Sequence, residues 1–584
     1  MKLFSPLNIL TLVRKNALPA LLLLITGISG ITLSQREFAG EHWRWTVSLD
    51  GHGYYAQLPS LFIYNDPSYQ SIRKIVPEGD TLQPYLNKVG NSKVNKYYCG
   101  EAVLLSPFFA VAHLWTKADG KPANGYSRRY YEAISYAAIF YLLAGLLALW
   151  LLLRSFGLKE FVVFVVLILF VYGTNLFYYA VWQPSMSHVY SFFSIALLLL
   201  LQRKIIAGQY KLLLPATLLM GIVVLIRPVN IVVLLGFLFM TDDKEKLILF
   251  WRQLMHRIGL TIGALLLFLS VVSLQFLFYY WQTGKFFIWS YKNEGFDFSN
   301  PVFFSPLLEF EKGLFIYFPV LLLSLCGLIL MGFLRKWLLA VGTAAVIILM
   351  MYINGSWSCP HFGYSYGLRP YIDIYPFFIL PAAFLISRLL SGYRLLIGIP
   401  LFTFFILLTS IQTYQVVTGI FPQFEMSANK YRFIWGKTNP EYQGIITRQF
   451  ETTKQNVLIH HYNNCSTDNP ELKGTAAITP EGIPLFFYQG RLYFPPRKKF
   501  TLRLRYADQG KNPTVDLKII GLRNGIITWE QNIVMPSTAA QDKEYTWFGE
   551  FSHTVDYEDA VYAILSDKSG TAKIDFAEIR FPEN

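Results

Sequence analysis

The chain has 584 residues, of which 53% are hydrophobic, 17% aromatic and only 15% charged. Its mean hydropathy is +0.37. That is too apolar for a soluble globule of this length and predicts an integral membrane protein. The formal charge of +14 does not point to nucleic acid. The basic residues are not gathered into a stripe; they punctuate the ends of apolar runs, as cytoplasmic loops do. The four cysteines (Cys99, Cys326, Cys359, Cys465) show no CxxC or Cys/His spacing for zinc, and no metal or other cofactor is expected.

Taken in order, the first apolar run, Ala17–Leu33, follows Lys2, Arg14 and Lys15. No small-x-small cleavage site closes it, so it reads as an uncleaved membrane anchor. Ten further runs follow: Tyr131–Leu153, Phe161–Tyr179, Val189–Leu201, Leu212–Ile226, Val229–Met240, Ile258–Tyr280, Gly313–Leu334, Trp337–Ile353, Ile374–Ile386 and Leu395–Val416. Under strict alternation, six basic clusters fall on one side: Arg14/Lys15, Arg154/Lys159, Arg203/Lys204/Lys211, Lys244 to Arg257, Arg335/Lys336 and Arg388/Arg394. That predicts about eleven membrane segments, with the N-terminus cytoplasmic and the C-terminus extracytoplasmic.

The Leu212–Met240 region carries Arg227-Pro228 between two short halves. Each half reaches only about 20 Å at a helical rise, which leaves Arg227 in the membrane's depth, facing a polar cavity or an anion. Residues 34–130 form a long first outer loop. Within it, Ala102–Trp115 is too short to span and reads as a surface helix, with Glu101 at its N-terminus as a charge cap. After a linker at 421–445, period-2 alternation such as Phe500-Thr501-Leu502-Arg503-Leu504 predicts an extracytoplasmic β-sandwich over 446–584.

Chemistry concentrates in the outer segments. Leu49-Asp50-Gly51-His52-Gly53-Tyr54-Tyr55 places an acid among permissive glycines, with His52 beside it to orient it or a substrate. Lys96-Tyr97-Tyr98-Cys99-Gly100-Glu101, Pro184-Ser185-Met186-Ser187-His188 and the loop from Asn354 to Pro370, with Trp357, His361 and Arg369, complete the set. A carboxylate can deprotonate an acceptor hydroxyl, arginines can hold a departing phosphate, and aromatic faces can stack on sugars. Arg369 is read first as a phosphate ligand, the alternative being a pair with Asp373 at helical spacing. No phosphate-cradling GxxxxGK[ST] loop is present.

These features resemble bacterial membrane glycosyltransferases of the GT-C superfamily, the group of protein O-mannosyltransferases and lipid A aminoarabinose transferases. The likeness rests on the acidic loop at Leu49–Tyr55, on Ile226-Arg227-Pro228-Val229-Asn230, and on Trp357 through Arg369. It covers the region before Val416, within a transmembrane domain at 1–420. Many members carry two adjacent acids in the first loop; here Gly51 follows Asp50, and the nearest acids are Asp66 and Glu101. The resemblance implies an inverting glycosyltransferase that uses a polyprenyl-phosphate sugar donor and a lipid, glycan or protein acceptor. Asp50 would be the catalytic base. Arg369, Arg227, His52, Tyr54, Tyr55, His188, Trp357, His361 and Glu101 are the candidate binding residues. The rivals are a transporter of lipid-linked sugars and a non-catalytic glycan assembly protein. The mechanism predicts that base and phosphate ligand do not touch, with about 6–12 Å between Asp50 and at least one arginine. Cys99 and Cys359, both in outer loops, could form a disulfide if their Cα atoms lie within about 7 Å.

Overall fold

The computed structural model describes residues 16–37, 42–75, 85–423 and 426–439, together with strands between 451 and 580. The chain divides into two compact units, 1–363 with 367–410, and 364–366 with 411–584.

The first unit is helical. Its main helices are α1 (Ala17–Glu37), α2 (Gly51–Pro59), α3 (Gly100–Ala118), α4 (Arg128–Ser155), α5 (Glu160–Tyr172), α6 (His188–Ile206), α7 (Leu213–Ile226), α8 (Lys244–His256), α9 (Ile258–Thr283), α10 (Leu322–Phe333), α11 (Trp337–Gly355), α12 (Tyr375–Leu389) and α13 (Leu395–Val417), the last running into the second unit. A hairpin of β1 (Leu86–Val89) and β2 (Ser92–Asn95) lies between α2 and α3 in the chain. Helices α4 and α6, α10 and α12, and α7 and α9 form the principal packed pairs.

Among the described residues, seven helices are long and apolar enough to cross a membrane: Ala17–Gln35, Arg128–Ser155, His188–Ile206, Ile258–Thr283, Trp337–Gly355, Arg369–Leu389 and Gly392–Val417. By length and composition these helices fit a helical membrane protein. The other four expected segments are also apolar helices, but shorter: Glu160–Tyr172, Tyr210–Ile226, Pro228–Leu238 and Pro319–Phe333. Such lengths fall below the roughly 20 residues that one helix needs to cross alone.

The break at Arg227 has a local cause. Proline drives the residue before it out of the helical region, and Arg227 is extended, at φ −150° and ψ 117°. The chain then continues as a 3-10 helix, Pro228–Leu238. The bend leaves Arg227 as the C-terminal cap of α7, with its side chain mostly buried.

The second unit holds two antiparallel sheets. One has the order β10 (Lys543–Glu550), β7 (Lys499–Asp508), β12 (Ala572–Arg580), β4 (Val457–His461) and β3 (Glu451–Thr452), with β5 (Ala476–Ala477) also on β12. The other runs β6 (Ile483–Phe487), β11 (Ala560–Asp567), β8 (Val515–Arg523) and β9 (Ile526–Val534). Strands lie where alternation predicted them. Lys518 on β8 and Glu530 on β9 form a cross-strand ion pair at 2.6 Å.

Candidate functional site

The acidic loop differs from its sequence reading. Gly51 and Gly53 do not make a tight turn that exposes Asp50; both are helical and buried in α2. Their role is close approach. A Cβ on Gly51 would lie 2.0 Å from Ser185 Oγ, and one on Gly53 would lie 2.3 Å from the Tyr97 ring. The left-handed residue is Leu49, at φ 51°, and it turns the chain so that Asp50 begins α2. Asn95 Nδ2 donates to the Gly53 carbonyl at 2.7 Å, and Gln57 Nε2 donates to the Tyr97 carbonyl at 3.0 Å. The loop after the hairpin is thereby clamped onto α2.

That clamp sets the surroundings of Asp50. Arg369, which opens the turn before α12, donates to its carboxylate. Burial alone would raise the Asp50 carboxyl. The Arg369 charge, a hydrogen bond from Tyr97 and the nearby Lys96 outweigh burial and hold it below the usual carboxylate range. The expectation that base and phosphate ligand stay apart is therefore wrong for Arg369. Two opposite charges lie in one low-dielectric space with nothing between them, and each is the other's nearest counter-charge. Arg369 also does not pair with Asp373, because a bent 3-10 segment, Arg369–Ile374, replaces the regular helix that the four-residue spacing assumed.

Asp373 serves Arg227 instead. Arg227 donates to Asp373 Oδ2 at 3.3 Å, His188 Nδ1 lies 2.9 Å from Oδ1, and Asn230 Nδ2 donates to Oδ2 at 2.9 Å. Asp373 is fully buried. The deep arginine thus faces a carboxylate, and its neighbour Asn230 completes the cage. This tetrad and the Asp50–Arg369 pair belong to one electrostatic neighbourhood. Tyr54 senses both Asp50 and Arg227, and His188 senses both arginines.

Aromatic rings line one side. Tyr54 stacks obliquely on Tyr97 at 4.5 Å, Tyr97 meets Tyr291 at 6.2 Å, Tyr291 meets Trp357 at 5.4 Å, and Trp357 meets Phe296 at 4.8 Å. Burial and the Asp50 charge push the Tyr54 phenol up, so it stays neutral; Ser187 donates to its oxygen at 3.3 Å. Lys96 bonds Glu294 at 3.1 Å and lies over the Tyr97 and Tyr291 rings.

Asp50, Arg369, Arg227, His188 and Tyr54 lie in this one neighbourhood, and Trp357 reaches it through the Tyr291 ring. His52 lies half-buried in the first turn of α2. Tyr55 faces the other way: its hydroxyl donates to the Gly125 carbonyl, and its ring packs on Phe109 and Tyr126. His361 lies by Ser305 and Glu311 rather than beside Asp50. Glu101 is not a charged helix cap. It is fully buried, neither carboxyl oxygen has a hydrogen-bond partner, and burial pushes its carboxyl well above the usual carboxylate range. Cys99 and Cys359 are both free thiols, one buried and one exposed. The Cys99 amide is tied to Gln275 on α9 at 2.8 Å.

Tyr291 and Lys312 escaped the sequence reading, Asp373 was seen only as a neighbour of Arg369, and Lys96, Tyr97 and Asn230 were quoted within motifs without a role of their own. Asp373 had a signal: an acid inside the apolar run Tyr371-Ile372-Asp373-Ile374-Tyr375 demands a partner. Lys312 is buried, donates to the Gly363 carbonyl at 2.8 Å, and is held down to about 7 by burial and by the Arg369 charge.

No protein-family model matches this chain, and no curated protein aligns with it significantly.

Proposed function

We propose that the chain is an inverting glycosyltransferase that moves a hexosyl or pentosyl group from a polyprenyl-phosphate donor to an extracytoplasmic lipid, glycan or protein. In this reading the eleven apolar segments form a GT-C-like bundle in a bacterial inner membrane, and the two sheets form a β-sandwich outside. One observation carries the reading: a carboxylate, two arginines and a wall of aromatic rings meet where helices of a membrane bundle end.

The Asp50–Arg369 pair fits this chemistry as a resting arrangement. The donor's phosphate competes with the carboxylate for the guanidinium, whose planar fork suits either. Once Arg369 turns to phosphate, Asp50 accepts the proton of the acceptor hydroxyl. The acceptor oxygen forms a bond to the anomeric carbon as the carbon–oxygen bond to phosphate breaks. Polyprenyl phosphate leaves with the electron pair, its growing charge met by Arg369 and Arg227. Tyr54, Tyr97 and Trp357 offer faces to the sugar.

The test is transfer from a radiolabelled polyprenyl-phosphate sugar by purified protein in membranes. Asp50→Asn should lower turnover by about 10²–10⁴, the usual contribution of a general base, while donor binding persists. Full turnover by Asp50→Asn would remove Asp50 from the chemistry.

A further inference from the structure

The helix α8 is unlike the other long helices of the bundle. It carries four cations, Lys244, Lys246, Arg252 and Arg257 just beyond its end, against one exposed acid, Glu245. Asp243 is its N-cap, accepting from the Glu245 and Lys246 amides at 2.9 and 3.3 Å, and its carboxylate also pairs with the Lys246 ammonium at 3.7 Å. Along the same helix, Ile248, Trp251 and Met255 recur at three- and four-residue spacing and are exposed, Met255 by 78%. Phe250 turns inward and stacks on Phe237 at 5.7 Å. At Arg257 the backbone leaves the helix, at φ −101° and ψ 47°, before α9 begins.

Its place in the bundle is set by α9. That helix starts at Ile258 and carries Gln275, which accepts from the Cys99 amide, and Gln282, which donates to Tyr69. At 1.5 Å per residue, Ile258 lies on the order of 35 Å from Gln282. The basic helix therefore caps the end of the bundle away from Asp50. Above it lie two apolar cavities of about 500 and 260 Å³, which share Met220, Leu234, Phe237 and Trp251. The larger falls within the roughly 300–1,000 Å³ of ordinary ligand pockets.

A basic, half-apolar helix whose Trp251 borders these cavities matches one kind of occupant. The geometry points to a binding site for an anionic phospholipid of the bilayer leaflet at this end. Its acyl chains enter the cavities beside Trp251, and its phosphate meets Lys244 and Arg252, with Lys246 adding to the positive field of the same helix. The charge complementarity argues for an anionic lipid over a zwitterionic one. This site is separate from the proposed sugar transfer and does not depend on it.

The experiment is native mass spectrometry of the full chain, purified in mild detergent and titrated with phosphatidylglycerol or phosphatidylcholine. Wild type should retain phosphatidylglycerol with at least about a tenfold preference. The triple variant Lys244→Gln, Lys246→Gln, Arg252→Gln should bind the two lipids equally. Trp251→Ala should weaken both while keeping the preference. These positions are exposed, and an unchanged melting temperature in phosphatidylcholine nanodiscs serves as the folding control. Equal retention of the two lipids by wild type, or a preference that survives the triple variant, would overturn the site. Displacement of bound phosphatidylglycerol by polyprenyl phosphate would also overturn it, by assigning the groove to the donor.

Discussion

Arg369 donates to Asp50 across 319 positions of sequence, joining the 3-10 segment before α12 to the N-cap of α2. The contact makes the acid's strength a property of the arginine. Removing the cation leaves burial as the main influence on Asp50, and its carboxyl rises. In Arg369→Gln the acidic limb of the transfer rate should move to higher pH, with turnover reduced at every pH. In Arg369→Lys the limb should stay near its wild-type position, because a charge remains. A limb that does not move in Arg369→Gln would show that the pair does not tune the base.

The Arg227–Asp373 pair should behave as a unit. Either single change, Arg227→Met or Asp373→Leu, leaves a charge without its buried partner and should cost about 3–5 kcal/mol. The double change should cost clearly less than the sum. Thermal unfolding of the four proteins in one detergent gives the coupling directly. Simple additivity would mean that the two charges are satisfied independently.

Lys312 predicts a pH dependence whose sign can be worked out. Its amine is held down to about 7 in the fold, from an ordinary value of 10.5. Between those limits the unfolded chain binds more protons than the folded one, so stability rises with pH across that window. Below about 7 the folded protein carries the extra charge, close to Arg369. Affinity for inorganic phosphate should therefore rise as pH falls through 7. Lys312→Met should flatten both trends, measured by unfolding temperature and by phosphate titration.

The cysteines give a chemical check. Cys359 should react with a water-soluble maleimide under non-reducing conditions, while Cys99, buried and pushed up to about 12 by that burial, should not. Mass analysis of the peptides should find Cys99 reduced without added thiol. A peptide joining Cys99 to Cys359 would contradict the free thiols.

Much of the helical architecture was legible because apolar runs and basic ends follow directly from what a bilayer tolerates. The same rule could not show that Glu160–Tyr172 and Pro228–Leu238 stop short, since composition records apolarity but not where a proline or a bend ends a helix. Asp50, Arg227 and Arg369 stood out as charges in unusual company. Their pairing did not, because Arg369 had a carboxylate four residues away and the true partner lay in another loop. Asp373 was seen only as that neighbour. Glu101 was misread for a related reason: an acid in the first turn of a helix suits the dipole when solvated, and sequence does not reveal that the turn is sealed.

Gly51 and Gly53 press their backbones against Ser185, Tyr85 and Tyr97, so closely that a single methyl group has no room. A segment wedged on both sides has no freedom to swing. The acid at its head is a fixed anvil, and motion during turnover must come from elsewhere: from the Arg369 side chain releasing its grip, and from the ligand sliding in to the acid.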